Sequence, residues 1–462
     1  MKLKSPSGRW LLVATVLGSS LAFLDGSIVN IALPAIQRDL GGGVEGLQWT
    51  INAYTLSLAA LILVGGSLGD RWGRRRVFVS GVVWFALASF LCALAPSIEV
   101  LVVARAFQGI GAALLTPGSL ALISASIDRE DRGAAIGAWS GLAGVSTAFG
   151  PLLGGWLVEA VSWRAVFYLN LPLAAAVVWI TLKHVPESRD EEVEGRIDFT
   201  GAALTAAGLA ALTYGLVGSE IVPSLAGVAL LAAFVFQQRR SPHALVPLKL
   251  FANRTFTAAN LSTFVVYGAL SGAMFLLVLQ LQYVAGYSPL ASGAATLPVI
   301  IMMLLFSARA GRLGQRIGPR LPMTFGPFVA ATGLLLLLPI GRDASYLTSV
   351  FPGVMVFAVG LTLLVAPLTT TVLGAAPNSQ SGIASGINNA VSRTASLLAV
   401  AALPPIAGIS GANFADPAVF SPGFRFGILI CAFLLVGGGV ISGVLIQNKT
   451  AFDGDVSTEA VD

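Results

Sequence analysis

An all-α membrane protein is the fold class that this sequence predicts, and three observations predict it. Hydrophobic residues make up 56% of the 462 and charged residues 11%, whereas soluble domains carry about 25% charged. Mean hydropathy is +0.84. Fourteen apolar stretches, most near the ~20 residues that a helix needs to cross a bilayer, follow one another with short polar connections.

The first stretch, 10–33, follows Lys2, Lys4 and Arg9 and has the outline of a signal peptide. It carries Asp25 and Asn30, and no small-residue cleavage site precedes the next stretch, so a retained helix is expected. Stretches 47–68, 77–95, 98–123, 133–158 and 163–182 complete a first group of six. The next two, 200–218 and 221–238, are parted only by Gly218-Ser219-Glu220. A last group of six runs 257–279, 290–308, 321–340, 346–372, 383–409 and 424–446. The tail after Lys449 is short, polar and acidic, a composition that stays disordered.

Orientation follows from the basic residues, because cytoplasmic connections carry an excess of Lys and Arg. Twenty-one of the 27 fall in connections on the N-terminal side, four on the other, and the remaining two, Arg105 and Arg393, lie within spans. Both termini are therefore expected in the cytoplasm of a multi-pass plasma-membrane protein. This pattern explains the net charge of +5 without nucleic acid, and anionic lipid headgroups are its natural partner. Cys92 and Cys431 sit in separate apolar stretches and His184 and His243 in polar connections, so no metal site, disulfide or cofactor is expected.

An internal repeat divides the chain. The connection GSLGDRWGRRR, 66–76, recurs as GRLGQRIGPR, 311–320, with Gly66, Leu68, Gly69, Arg71, Gly73 and Arg75 matched by Gly311, Leu313, Gly314, Arg316, Gly318 and Arg320. Repeated bundles that rock about a central site are a common transporter plan. Two stretches precede the first copy within its group, so the second bundle should begin near Thr257. The expected organisation is a six-helix bundle at 1–182, a linker with two inserted helices at 183–256, a second six-helix bundle at 257–446 and a tail at 447–462.

Several segments are specific enough to suggest a family. GSLGDRWGRRR resembles the loop signature of the major facilitator superfamily, and GVSTAFGPLLGG, 144–155, its antiporter motif. LDGSIVNIALPAI, 24–36, ARAFQGIGAALLTP, 104–117, and YSPLASGAATLP, 287–298, resemble its 14-spanner drug:proton antiporters. The resemblance implies a major facilitator fold, proton coupling through Asp25 and Arg105, and a conformational latch in the loop of Gly66, Gly69, Asp70, Arg71, Gly73 and Arg74. The second copy places Gln315 where the first has Asp70, so a second latch would be uncharged.

The residues carry their own physical reading. An acid at the centre of a membrane helix costs roughly 2.5–3.5 kcal/mol on insertion scales, so a retained one has a use. Asp25 lies about eight residues before the end of its stretch and Arg105 about eight after the start of its own. At 1.5 Å per residue both are about 12 Å deep, which makes an ion pair feasible. Two readings stand: a pair whose opening decides whether Asp25 holds a proton, and a pair that only fixes packing. Gly150 and Gly154 form a GxxxG that admits another helix backbone, and Pro151 removes a backbone donor; with Gly144 and Gly155 they complete the motif. Asn30, Gln108, Asn388, Asn389 and Arg393 are candidate cavity residues, with carbonyl capping an equal alternative for Arg393.

No phosphate-binding loop, zinc spacing or clustered intramembrane acids support an enzyme. The expected function is proton-coupled efflux of amphipathic drugs or toxic compounds by a monomer, with substrate, protons and membrane lipid as its partners. The alternative is export or flipping of a lipid or metabolite; a membrane-embedded enzyme or a sensor fits the sequence less well. No acid occurs between Ile221 and Asp343, which leaves Asp25 as the only buried counter-charge for a cation. Monovalent cationic or neutral cargo is therefore expected ahead of dications.

Overall fold

The computed structural model describes residues 1–189, 197–377, 380–411 and 414–448, and the regular structure among them is entirely helical. The first group comprises α1 (Pro6–Leu40), α2 (Gly43–Trp72), α3 (Arg74–Leu94), α4 (Ile98–Ser126), α5 (Arg129–Ala160), α6 (Trp163–Tyr168) and α7 (Asn170–His184). The pair α8 (Phe199–Val217) and α9 (Ile221–Arg240) follows. The last group is α10 (Arg254–Leu279), α11 (Pro289–Ala295), α12 (Leu297–Ile317), α13 (Arg320–Leu335), α14 (Phe351–Gly374), α15 (Ser381–Ile406) and α16 (Pro417–Leu445). The expected disordered tail lies, from Lys449 onward, outside the described residues.

Among the described residues eleven helical segments are long and apolar enough to cross a membrane. The other three expected stretches are helices too: α5 of 32 residues, α13 of 16 and α15 of 26. α13 is short because the chain turns after Leu335, and α15 opens with Asn388, Asn389, Ser392 and Arg393, which lower its apolar content. The stretch expected at 163–182 is divided at Leu169 into α6 and α7. Pro172 cannot donate to the carbonyl of Tyr168, which frees the chain to turn there. Pro298 acts in the same way at the α11–α12 break. Helix starts are capped as their residue types favour: Ser5 accepts from the amide of Gly8, Ser97 from Val100 and Asn253 from Thr255 and Phe256.

Packing follows the sequence repeat. In the first half α2 and α3 pack on α4, α1 on α5 and α7, and α3 on α7. In the second half α12 and α13 pack on α14, α10 on α15 and α16, and α13 on α16. α8 and α9 pack on each other, and α8 also lies against α2 and α15, one helix from each half. α9 exposes Val222, Leu225, Val228 and Phe236, a face suited to lipid.

The halves are tied at the end away from Asp70. Gln48 donates to the carbonyls of Val400 and Ala401 at 2.8 and 2.9 Å, Gln282 to Ile31 at 3.1 Å, and Tyr283 to the Gln37 side chain at 3.2 Å. The largest apolar cluster spans both halves, with Leu33, Leu47 and Leu157 from one and Val284, Leu403 and Phe420 from the other. A second cluster, around Leu11, Phe78, Phe85, Leu115 and Leu122, belongs to the first half. A cavity lies between the halves toward the Asp70 end, bounded by the C-terminal part of α14 and the N-terminal part of α15.

Candidate functional site

The interior of the first half holds a closed polar network. α1 contributes Asp25, α2 Thr50 and Tyr54, α3 Ser89, α4 Arg105 and Gln108, and α7 Asn170. Arg105 donates through Nη1 to Asp25 Oδ2 and through Nε to the Thr50 carbonyl at 3.0 Å. Asp25 Oδ1 accepts from Gln108 at 2.8 Å and from Asn170 at 3.3 Å, and both amides also donate to Ser89. The guanidinium lies over the Tyr54 ring, 4.3 Å from its centroid. Neither charged side chain reaches solvent: Asp25 is 0% exposed and Arg105 1%. An uncompensated charge here would cost several kcal/mol, so the two ions hold each other in place.

Asp25 and Arg105 thus meet, as an ion pair between α1 and α4. α1 continues past the apolar run through Gln37, Arg38 and Asp39 to Leu40, fifteen residues beyond Asp25. Gln108 is not a cavity residue: it is buried in the network, three residues from Arg105 on the same face of α4. Asn30 is half-buried on α1, its amide donating to the Gly26 carbonyl at 3.0 Å. Thr50, Ser89 and Asn170 were not anticipated. Asn170 had a signal, an amide flanked by Leu169 and Leu171 in an apolar stretch.

The segment GVSTAFGPLLGG forms a three-way junction. A Cβ on Gly150 would collide with Ser27 Oγ, and one on Gly154 would lie 2.7 Å from Ile28 Cγ2, so the GxxxG face clasps α1 just beyond Asp25. A Cβ on Gly155 would lie 2.6 Å from Leu290 Cα, and one on Gly293 would strike the Pro151 carbonyl. α5 therefore touches α1 on one face and α11 of the other half on the next. The surroundings of Gly144 lie outside the described residues.

In the Asp70 loop, Asp70 Oδ1 accepts from Arg74 Nε and Nη2, both at 2.9 Å, one turn along the chain. Glu187 accepts from the amides of Arg75 at 3.0 Å and Arg76 at 3.2 Å, capping α3. Gly73 takes φ 108°, open to glycine, and a Cβ there would lie 2.7 Å from Glu187 Cδ. Gly318 repeats this, with φ 84° and Asn448 beneath it, and Asn448 accepts from the Arg320 amide at 3.2 Å. Gly66 and Gly69 lie on the last turns of α2, and Arg71 is engaged.

The cavity of about 250 Å³ is lined by Phe23 of α1, Tyr267 of α10, and Asn388, Asn389 and Arg393 of α15, among others. Asp25 presents no carboxylate to it, because its oxygens are consumed by Arg105, Gln108 and Asn170. The expectation that Asp25 would serve a cationic cargo as counter-charge therefore has no geometric basis here. No group of His, Cys, Asp and Glu among the described residues is arranged to hold a metal.

The sequence profile of the Major Facilitator Superfamily matches residues 15–400. The chain belongs to this superfamily. It is 38% identical over 402 residues to the multidrug resistance protein Stp of Mycobacterium tuberculosis, covering 85% of this chain and 74% of that one. It is 33% identical over 466 residues to the puromycin resistance protein pur8 of Streptomyces alboniger, covering 96% and 92%. Among solved structures, a POT family transporter in complex with a thioalcohol-conjugated peptide superposes with a TM-score of 0.71 at 13% identity, covering 97% and 99%. As a superfamily member with this architecture, the protein is a multi-pass membrane transporter and not an enzyme.

Proposed function

We propose that the protein is a proton-coupled efflux antiporter for amphipathic, drug-like compounds, working by alternating access. On this reading it has fourteen spans: bundles at 1–182 and 257–446, an inserted pair within 183–256, and a cytoplasmic tail at 447–462. It acts as a monomer in the plasma membrane with both termini in the cytoplasm, and the cavity then faces inward. The relatives named for drug and antibiotic resistance support the cargo class.

The Asp25–Arg105 network carries the reading. A proton arriving on Asp25 would remove the charge that holds Arg105, and the loosened helix α1 is the one that α5 clasps at Ser27 and Ile28. The antiporter junction would relay that change to α11. A protonmotive force near 150 mV supplies roughly 3.5 kcal/mol per charge, enough for a gradient of several hundredfold.

The test is transport by purified protein in liposomes with an imposed pH gradient. Asp25→Asn should abolish uphill export while leaving substrate exchange without a gradient. Undiminished uphill export by that variant would rule out Asp25 as the proton carrier.

A further inference from the structure

Resting on the efflux reading, we propose that the cavity between the halves selects acidic amphiphiles, planar aromatic compounds bearing one carboxylate or phenolate, with Arg393 as their counter-charge. Arg393 is the second intramembrane arginine, and its situation is the opposite of Arg105's. No acid pairs with it among the described residues, and its Nε is buried without a hydrogen-bond partner. Arg393 is half-buried on the cavity wall, and a guanidinium in such a low-dielectric setting gains from any ligand that supplies the missing charge.

The protein groups around it do not. Asn388 spends its amide on Asn260 at 3.2 Å and Thr263 at 2.8 Å, and Asn389 spends its own on the Ser385 carbonyl at 3.1 Å. Ser392 and Ser396 donate to carbonyls of their own helix at 2.9 Å. These four wall donors are thus committed internally, and the guanidinium is the one charged donor among the residues lining the cavity. The sequence supplies no acid from Ile221 to Asp343 and none again until Asp416. On the Asp70 side of the second half, exposed Arg309, Arg312 and Arg316 add positive field where an anion would enter.

The aromatic requirement comes from the same wall. The Arg393 guanidinium carbon stands 5.9 Å from the Phe23 ring centroid, and Tyr267 lines the cavity from α10. Phe23 belongs to the first half and Arg393 to the second, so a ligand held by both bridges the surfaces that must separate during transport. The volume of about 250 Å³ lies just below the ~300–1,000 Å³ range of ligand sites, which suits a fused-ring compound better than a two-chain lipid.

Three probes on one ring system decide the matter: a hydroxyanthraquinone carboxylic acid, its carboxamide and its trimethylammonium analogue. Binding is measured on purified protein in detergent, with and without phosphatidylglycerol, and export is measured in liposomes. The acid should bind about tenfold or more tighter than the carboxamide, the gain expected from a charge-assisted hydrogen bond. Arg393→Gln should bring that ratio to about one, and Arg393→Lys should retain a preference of several fold. Preference for the carboxamide or the ammonium compound, or an acid preference that survives Arg393→Gln, overturns the assignment. So does an acid preference that phosphatidylglycerol abolishes, which would make a lipid headgroup the occupant. Uphill export without charge discrimination sinks the Arg393 assignment and leaves the efflux reading standing; no uphill export of any compound sinks both.

Discussion

Asp25→Asn should cost more stability than Arg105→Met, although both break the same ion pair. Asparagine removes the carboxylate and leaves a guanidinium that is 1% exposed and cannot shed its proton. Breaking a buried pair in this way costs about 3–5 kcal/mol. Methionine at 105 leaves a carboxylate, which can take up a proton and keep its bonds to Gln108 and Asn170, so about 1–3 kcal/mol is expected for the lost contacts. The double variant removes both charges and should be less damaged than the sum of the two. The protein carries its own reporter, since Cys92 in the first half and Cys431 in the second are both buried. In a Cys431→Ser background, a thiol-reactive fluorogenic maleimide reports melting around Cys92, whose sulfur lies 3.7 Å from Gln108 Oε1. For a cooperative unit the size of the first half, each kcal/mol shifts the midpoint by about 2–4 °C, so Asp25→Asn should lower it by roughly 6–20 °C. A drop under about 2 °C, or a double variant that equals the sum of the singles, would show that the pair does not bear on folding.

Arg105→Ala should change the pH dependence of transport, because Asp25 loses its ion-pair partner, and Arg105→Lys should restore it in part. An unchanged profile at normal turnover would uncouple Arg105 from proton handling. Gly154→Leu should cost about 1–3 kcal/mol and most of the turnover, since its Cβ would already lie 2.7 Å from Ile28. Gly137→Ala on the same helix meets nothing within 4 Å and should leave thermal midpoint and transport unchanged or slightly improved.

How much of this was legible depends on what each residue costs. Asp25, Arg105 and Arg393 announce themselves because ionised groups within spans are expensive and therefore few. Thr50 and Ser89 send no such signal, since hydroxyls in a membrane helix are cheap and satisfy themselves on the helix backbone. Gln108 was readable and misassigned: its spacing of three from Arg105 puts it on the face of the pair. The length of α1 was less legible. Hydropathy marks the end of an apolar run, whereas α1 ends only where Gly41 takes φ 75°. The repeat in the loops, by contrast, reappears in the helix pairings and in the matched caps Glu187 and Asn448.

On the antiport reading, α5 is where the proton site and the seal between the halves become one mechanical problem. Gly150 and Gly154 lie four apart and share the face on α1, while Gly155 lies about 100° further round and faces α11. Backbone contacts of this kind have no side chains with which to absorb a shift, and packed interfaces switch between discrete arrangements more readily than they deform. A displacement of α1 at Ser27 and Ile28 must then disturb the contacts of Gly155 with Leu290 and of Pro151 with Gly293, which close the end away from Asp70. At the opposite end, Asp70 is held by Arg74 and Glu187 by the amides of Arg75 and Arg76. If the Asp70 loop is the latch that closes the cavity at that end, Asp70 would exchange Arg74 for another partner, and the uncharged Gln315 of the second copy would not share the load. Protonation of Asp25 would unlock one seal, and the single charged latch would have to form the other.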